Sequence, residues 1–193
     1  MFVSRLLYHL FLIFYRIGIH IAALANPKAQ LWIKGRKKII QRVEKALTGN
    51  KRPVIWMHCA SLGEFEQGRP VLEICKKQYP GACLVVSFFS PSGYEVRKGF
   101  KGADHVFYLP ADSKKNAESF IQAINPSLVL WVKYEYWFYY LTTLKNKNIP
   151  VILFSALFRP QQPFFMWYGA LWKKMLGCFQ QIFVQDNESK LLL

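Results

Sequence analysis

The sequence has few acidic residues, and it lacks the short motifs by which many enzyme families are recognised. Only 11 of its 193 residues are Asp or Glu, against 26 Lys and Arg, which gives a net charge of +15. No G-x-G-x-x-G, G-x-x-x-x-G-K-[ST] or G-x-S-x-G pattern occurs. A nucleotide site built on a glycine fingerprint and a serine-hydrolase nucleophile elbow are therefore both unsupported. H-E-x-x-H is missing as well, and we assign no metal and no cofactor.

Cysteine is also scarce. The four cysteines form no C-x-x-C pair and none lies at zinc-ligand spacing from a histidine: Cys59, Cys75, Cys83 and Cys178. A chain of this length does not need disulfides in order to fold. We predict reduced thiols and a cytosolic environment, with Cys59 as a buried thiol at the end of a strand.

The positive charge is concentrated near the amino terminus. Residues 1–52 contain eleven Lys and Arg against Glu44 alone, whereas residues 53–193 contain fifteen against ten acidic residues. Such a concentration implies a polyanionic partner, either nucleic acid or an anionic membrane surface. No nucleic-acid-binding motif accompanies the charge, and a basic cluster directly after an apolar segment is typical of cytoplasmic headgroup contact. We predict an anionic membrane partner and no nucleic acid, with a solvated helix face as the alternative.

Residues 1–25 are apolar apart from a few polar side chains. At 100° per residue, those side chains fall at about 0°, 20°, 40° and 60° on a helix: Arg5, Arg16, His9 and His20. A signal peptide, a spanning helix and a membrane-embedded amphipathic helix all fit the length. Arg16 and His20 interrupt the apolar region of a signal peptide, and Arg16 near mid-bilayer costs a spanning helix about 2.5–3.5 kcal/mol. We favour the amphipathic helix, with its polar stripe towards protein or headgroups.

The rest of the chain is predicted to divide into one basic amphipathic helix, 26–52, and a domain, 53–193. Apolar runs predict strands at Val54–His58, Leu84–Phe89, His105–Tyr108, Leu128–Val132, Val151–Ser155 and Gln181–Val184. Amphipathic stretches predict helices at Gly63–Gln78, Ser92–Phe100, Lys114–Ala123, Trp137–Lys145, Pro163–Leu176 and from Asp186. Continuously apolar strands that alternate with helices predict an α/β, Rossmann-like parallel sheet covered on both faces. Ligands bind such sheets beyond the carboxyl ends of the strands.

One such strand end carries Ser61-x-x-Glu64, which has two interpretations. It is formally a capping box, with Ser61 as N-cap and Glu64 three residues later. Alternatively, Glu64 is a general base for an acceptor hydroxyl. Apolar surroundings would raise the pKa of Glu64 and a helix N-terminus would lower it, and the sequence leaves that balance open.

Several blocks, in this order along the chain, resemble the amino-terminal half of the bacterial 3-deoxy-D-manno-octulosonic acid (Kdo) transferases. The blocks are Gly35-Arg36, the H-x-A-S-x-G-E pattern at 58–64, Ser90-Pro91-Ser92-Gly93, Tyr108-Leu109-Pro110-Ala111-Asp112, Glu135-Tyr136-Trp137 and Ser155-Ala156-Leu157-Phe158. The resemblance implies a membrane-associated glycosyltransferase of the two-domain GT-B type, and this chain would be its acceptor-binding half. The implied reaction transfers Kdo from CMP-Kdo to a lipid A precursor at the cytoplasmic face of the inner membrane.

The resemblance also implies roles for individual residues. Glu64 corresponds to the proton acceptor, and Glu135 to an acidic residue that stabilises the transition state. Lys133 stands where the family has a further acidic residue, and we expect it to contact a phosphate. Arg159, two positions after Leu157, is expected to restore the charge of a family arginine.

The remaining predicted substrate contacts come from the same blocks. They are Ser61, Gly63, Ser90, Ser92 and Gly93, together with Lys133 and Arg159. The residues at 185–189 resemble the end of the family's acceptor half, so we expect the donor domain that binds CMP-Kdo to lie outside this chain and the chain alone to be inactive. The alternative function is a non-catalytic Rossmann-like module that binds anionic membrane surfaces.

Overall fold

The computed structural model describes residues 2–193, which form nine helices and six strands. In chain order the elements are α1 (Phe2–Ala22), α2 (Pro27–Arg36), α3 (Ile39–Leu47), β1 (Val54–Cys59), α4 (Leu62–Gln78), β2 (Cys83–Phe88), α5 (Pro91–Arg97), β3 (His105–Tyr108), α6 (Lys114–Ile124), β4 (Pro126–Val132), α7 (Phe138–Asn146), β5 (Val151–Ala156), α8 (Ala170–Leu176), β6 (Gln181–Val184) and α9 (Asn187–Leu191). A single 3₁₀ turn covers Pro163–Phe165.

The six strands form one parallel sheet in the order β3-β2-β1-β4-β5-β6. This is the strand order of the doubly wound Rossmann architecture, so the predicted fold class is confirmed. All six residues of β1 and all six of β2 are buried, because helices cover both faces of the sheet. The order reverses between β1 and β4, so a crevice opens beyond their carboxyl ends.

The two faces of the sheet carry separate apolar cores. On one face, Phe65 and Leu72 of α4 pack against the strands together with Phe88. The other face is larger and includes Val43 of α3 and Phe120 of α6. The helices thus cover both faces of the sheet and hold its strands in position.

The predicted strands differ from the observed ones by at most two residues at either end, but two predicted helices are wrong. Pro163–Leu176 is not a single helix: the 3₁₀ turn is followed by a reversal at Gly169, and α8 begins only at Ala170. A Cβ at position 169 would lie 1.7 Å from the carbonyl oxygen of Pro163, so the reversal requires glycine. Segment 26–52 is likewise two helices, broken at Lys38, whose φ is 53°.

Helix α1 lies along the domain and contacts α2 and α8. Its inward face consists of Tyr8, Leu12, Tyr15 and Ile19, which pack against the larger core or are buried. Most of its large apolar side chains are exposed instead: Val3, Leu6, Leu7, Leu10, Phe11, Ile13, Phe14, Ile17 and Ile21. Within the described residues, Val3–Ala22 is the one helical segment long and apolar enough to cross a membrane.

Candidate functional site

The two glutamates predicted from the sequence lie at the switch point of the sheet. Glu64 belongs to the first turn of α4, which follows β1, and Glu135 lies in the turn after β4. Since β1 and β4 are hydrogen-bonded neighbours, both carboxylates border the same crevice. The charge of Glu135 acts on the pKa of Glu64, as expected for neighbouring groups.

A chain of hydrogen bonds that begins in β1 and β2 orients the carboxylate of Glu135. Trp56 Nε1 donates to Ser87 Oγ at 2.8 Å, and Ser87 Oγ lies 2.9 Å from His58 Nδ1. His58 Nε2 lies 2.8 Å from Glu135 Oε2, which also accepts a hydrogen bond from Trp137 Nε1 at 2.8 Å. An indole can only donate, so the Ser87 hydroxyl is free to donate to Nδ1, and His58 then donates from Nε2 to Glu135.

His58 is fully buried and the Glu135 side chain is 15% exposed. This pairing could not be predicted beyond the presence of His58 in the resemblance block, because the partners are 77 residues apart. The network fixes the orientation of the Glu135 carboxylate while one of its oxygens, Oε1, stays out of these bonds.

The surroundings of Glu64 raise the pKa of its carboxyl. Its pKa is raised from 4.5 to about 7, chiefly by burial and then by the charge of Glu135. Backbone N–H groups of Ala60 and Ser61 and the ammonium of Lys133 oppose that rise. Burial therefore outweighs the helix N-terminus in the balance that the sequence left open.

The capping-box interpretation is only half correct. Ser61 is the N-cap of α4, but its side chain makes no capping hydrogen bond. The Glu64 carboxylate does reach back, and it accepts a hydrogen bond from the N–H of Ala60. Glu64 thus has a structural contact as well as a perturbed pKa. Gly63 is exposed, with open space around the position of a Cβ.

Lys133 lies at the same strand edge in an unusual backbone conformation. Its φ is 61°, a left-handed value that is rare for a residue with a Cβ, and its N–H donates to Phe154 O at 3.1 Å. Ser155 in the neighbouring strand also has a positive φ, 57°. The Lys133 ammonium lies 5.2 Å from the centre of the Tyr134 ring and lowers the pKa of Glu64. Non-glycine residues in this region cluster at functional sites.

The block Ser90–Gly93 forms the start of α5. Ser90 Oγ accepts a hydrogen bond from Ser92 N at 3.2 Å and lies 2.9 Å from Ser92 Oγ, so Ser90 is a helix cap with proline at the next position. Gly93 is buried, and a Cβ there would lie 2.2 Å from Phe88 Cδ1. Close packing of α5 on β2 therefore accounts for this glycine without a substrate contact.

Arg159 does not join the two glutamates. Its Nη1 lies 3.0 Å from Asp186 Oδ2 and 3.5 Å from Glu188 Oε2, both beyond β6. In the part of the chain that the structure describes, it makes no ion pair with Glu64 or Glu135. The restoration of a family arginine's charge by Arg159 therefore stays a prediction, and in this structure its guanidinium is paired with two carboxylates beyond β6.

The contacts of Arg36 were not predicted: its side chain is half-buried and not free on the surface. Its guanidinium donates to the carbonyl oxygens of Leu109 at 2.8 Å, Trp32 at 3.0 Å and Phe89 at 2.6 Å. It lies 3.8 Å from the centre of the Trp32 ring, and burial lowers its pKa to about 9. Arg36 therefore ties α2 to the carboxyl ends of β2 and β3.

An apolar cavity of about 550 Å³ adjoins the turn that carries Glu135. It is lined by Leu7, Tyr8 and Phe11 of α1, by Tyr134, Tyr136 and Trp137, and by Tyr168 and Trp172. One wall is therefore formed by the two residues that flank Glu135 in sequence, and the opposite wall by α1. Among residues 2–193 no group of three or more His, Cys, Asp or Glu is arranged to hold a metal ion.

Helix α1 is secured beside the site by a buried carboxylate. Asp112 accepts hydrogen bonds from the Tyr8 hydroxyl at 2.6 Å and from the N–H groups of Tyr139 at 3.1 Å and Tyr140 at 3.2 Å. Burial raises the pKa of Asp112 to about 6, against the effect of these three donors. The same carboxylate therefore caps α7 and holds α1.

Comparison with known proteins finds several relatives with related names. Over 103 residues the chain is 29% identical to a 3-deoxy-D-manno-octulosonic acid transferase of Haemophilus influenzae, covering 53% of this chain and 24% of that relative. A protein of the same name from Chlamydia trachomatis is 28% identical over 122 residues, 62% of this chain and 28% of the relative. A bifunctional glycosyltransferase/methyltransferase of Fusobacterium nucleatum is 30% identical over 107 residues, 16% of its length.

The aligned parts are thus less than a third of each of these relatives. A family model described as 3-deoxy-D-manno-octulosonic-acid transferase (kdotransferase) matches residues 34–193, which include both glutamates and the entire sheet. The chain belongs to the 3-deoxy-D-manno-octulosonic-acid transferase family.

Proposed function

We propose that this chain is the acceptor-side half of a glycosyltransferase that transfers Kdo from CMP-Kdo to a lipid A precursor in lipopolysaccharide biosynthesis. The observation that carries the proposal is the pair of carboxylates at the switch point, one with a pKa near neutrality and one held in a fixed orientation. The aligned parts are a minority of each relative's length, and the rest of each relative is long enough to contain a donor half that binds CMP-Kdo.

In this proposal Glu64 is the general base. A base works best when its pKa lies near the operating pH, and a value of about 7 meets that condition. Glu64 takes the proton of an acceptor hydroxyl as the hydroxyl oxygen bonds to the anomeric carbon of Kdo. The bond from that carbon to the phosphate oxygen of CMP breaks, and CMP leaves with the bonding electrons.

Glu135 has the complementary role. As the bond to CMP breaks, positive charge develops on the anomeric carbon and ring oxygen of Kdo, and a nearby carboxylate stabilises that charge. His58 and Trp137 both donate to Oε2, so the carboxylate needs little reorganisation during the reaction. His58 acts through Glu135 and is a positioning residue.

The apolar cavity beside Glu135 supports a lipid-linked acceptor. Its walls are almost entirely aromatic and aliphatic, and its volume of about 550 Å³ accommodates part of an acyl chain. Lys133, whose ammonium lies near Glu64, is placed to contact a phosphate of the acceptor sugar. Ser61, Gly63, Ser90 and Ser92 surround the same strand edge as further proposed contacts.

Helix α1 supports a location on the cytoplasmic face of the inner membrane. Its inward side chains, from Tyr8 to Ile19, hold it along the domain, so a course straight through the bilayer would require it to detach. Its exposed apolar face instead suits a helix that lies in the interface, where such faces are buried about 5–10 Å deep. The acceptor lipid resides in that same membrane.

The test is an assay of transfer from labelled CMP-Kdo to a lipid A precursor, using the protein in which this chain and a donor half are joined. Glu64→Gln is expected to abolish transfer while thermal unfolding stays cooperative, and Glu73→Gln, an exposed glutamate on the same helix, is the matched control. Transfer that survives in Glu64→Gln would remove Glu64 from the base role. Glu135→Gln is expected to lower kcat, with a smaller effect on KM for the acceptor.

The second candidate is a non-catalytic module that binds anionic membranes. The basic residue Lys133 at a position where the family carries an acidic one favours it. The same assay separates the two: a joined protein that binds vesicles but transfers no Kdo would support the module.

A further inference from the structure

A second cavity, which neither glutamate lines, carries a concentration of positive charge. It has a volume of about 580 Å³ and lies between the first turn of α1 and helices α6, α7 and α8. Four cationic side chains line it, Arg5, Lys114, Lys145 and Lys174, with Glu118 as the single acidic side chain. None of the residues assigned to the strand-end site lines this cavity.

The charges come from four different elements, so the fold and not the sequence brings them together. Lys145 Nζ donates to the carbonyl oxygen of Gly177, which leaves two of its three protons for a ligand. Lys174 Nζ lies 5.8 Å from the centre of the Phe138 ring, a neutral partner. Only Lys114 has a carboxylate nearby, Glu118, and at 4.0 Å this exposed pair is weak.

Arg5 connects the cavity to α1. It belongs to the polar stripe of that helix, next to His9, whose Nδ1 lies 2.8 Å from the Tyr139 hydroxyl. Arg5 makes no ion pair or hydrogen bond to another of residues 2–193. The exposed apolar face of α1 begins beside this stripe at Leu6 and Ile13. When that face is buried in a bilayer, the mouth of the cavity lies at the depth of the lipid headgroups.

We propose that this cavity binds the phosphate headgroup of an anionic phospholipid. A phosphodiester supplies one negative charge and unprotonated oxygens, which complement guanidinium and ammonium donors. Thr143 and Asn146 line the cavity as well and offer neutral polar groups to the alcohol part of a headgroup. The inference rests on the proposed position of α1 on a membrane, but not on the transfer reaction.

The chain provides a matched pair of variants for the test. Lys114 and Lys174 line the cavity, whereas their immediate neighbours, Lys115 and Lys173, are exposed and do not. The double substitutions Lys114→Gln/Lys174→Gln and Lys115→Gln/Lys173→Gln remove the same charge from the same two helices. Thermal unfolding, monitored by circular dichroism, verifies that both variants fold. If a double variant does not fold, the single substitutions Lys174→Gln and Lys173→Gln replace the pair.

Binding is measured by flotation with phosphatidylcholine vesicles, with and without phosphatidylglycerol. A lysine near an anionic surface contributes about fivefold in affinity, so the cavity variant is expected to lose about 25-fold on vesicles with phosphatidylglycerol. The control variant should lose much less, and neither should change on pure phosphatidylcholine. Equal losses in the two variants would mean that diffuse charge, and not the cavity, binds the lipid.

Two further outcomes would overturn the inference for different reasons. If the wild-type chain binds neither kind of vesicle, the proposed position of α1 on a membrane is refuted. The proposed transfer reaction is not affected by that result. Calorimetry with glycerol phosphate and with inorganic phosphate distinguishes the source of the ligand. Tight binding of either soluble anion, undiminished by vesicles with phosphatidylglycerol, would assign the cavity to a free phosphate compound.

Discussion

Replacing Glu64 by glutamine should make the domain more stable at alkaline pH, although the residue contacts the backbone of a helix N-terminus. A carboxyl whose pKa rises from 4.5 to about 7 on folding is disfavoured in its charged form by about 3 kcal/mol. Glutamine is similar in size, keeps an oxygen to accept the N–H of Ala60, and has no charged form.

The pH dependence follows from the direction of that shift. Between pH 4.5 and about 7 the folded chain binds more protons at Glu64 than the unfolded chain does. The free energy of unfolding of the wild type therefore falls through this window and levels off above it. For Glu64→Gln this contribution is missing, so the stability of the variant relative to wild type should rise by about 3 kcal/mol from about pH 4 to about pH 8.

Urea unfolding of the 193-residue chain at a series of pH values measures this difference. Glu73→Gln is the control: Glu73 is exposed and pairs with Arg69 at 3.3 Å, so its replacement should change stability by less than about 1 kcal/mol. A Glu64→Gln variant that is less stable than wild type at about pH 8 would refute the reasoning. The charged carboxylate would then stabilise α4, as the capping-box interpretation requires.

Three further substitutions test other parts of the structure by denaturant unfolding. Gly93→Ala should lower the free energy of unfolding by about 1–3 kcal/mol, because its Cβ would lie 2.2 Å from a buried aromatic ring; an unchanged midpoint would mean that α5 shifts freely. Lys133→Gly should be more stable than Lys133→Ala by about 1 kcal/mol, because glycine has no Cβ to strain the left-handed backbone at this position. Equal stabilities of the two variants would contradict the positive φ. Tyr8→Phe should cost about 1.5–3 kcal/mol by removing a hydrogen bond to a buried carboxylate, and a neutral result would mean that α1 is not held by Asp112.

The sheet was predictable because its strands are apolar runs separated by amphipathic stretches, and the central strands β1 and β2 are buried on both faces. The predicted bounds of β3 and β6 agree with the observed ones to the residue, and the position of Glu64 after β1 followed directly. The segment from Pro163 to Leu176 was not predictable in the same way. Its aromatic residues fit a helical pattern, but the tight reversal at Gly169 depends on a contact with the backbone of Pro163.

The site was predictable only in part, for reasons of distance and burial. The resemblance pointed to Glu135, but its bond to His58 joins β1 to the turn after β4 and leaves no local pattern in the sequence. The half-buried position of Arg36 could not be predicted either, because a count of charges treats every cation alike. Its three carbonyl acceptors come from three different segments, and only the folded chain brings them together.

The attachment of α1 has a consequence for how the protein would find its substrate. Tyr8 is bonded to Asp112, and Tyr15 packs between Trp32 and Phe89, so the helix cannot roll about its axis without breaking these contacts. An interfacial helix that cannot roll orients the whole domain, and the strand-end crevice then keeps a constant height and tilt above the bilayer. An acceptor lipid would approach it by lateral diffusion in two dimensions, with its sugar already at the level of the carboxylates.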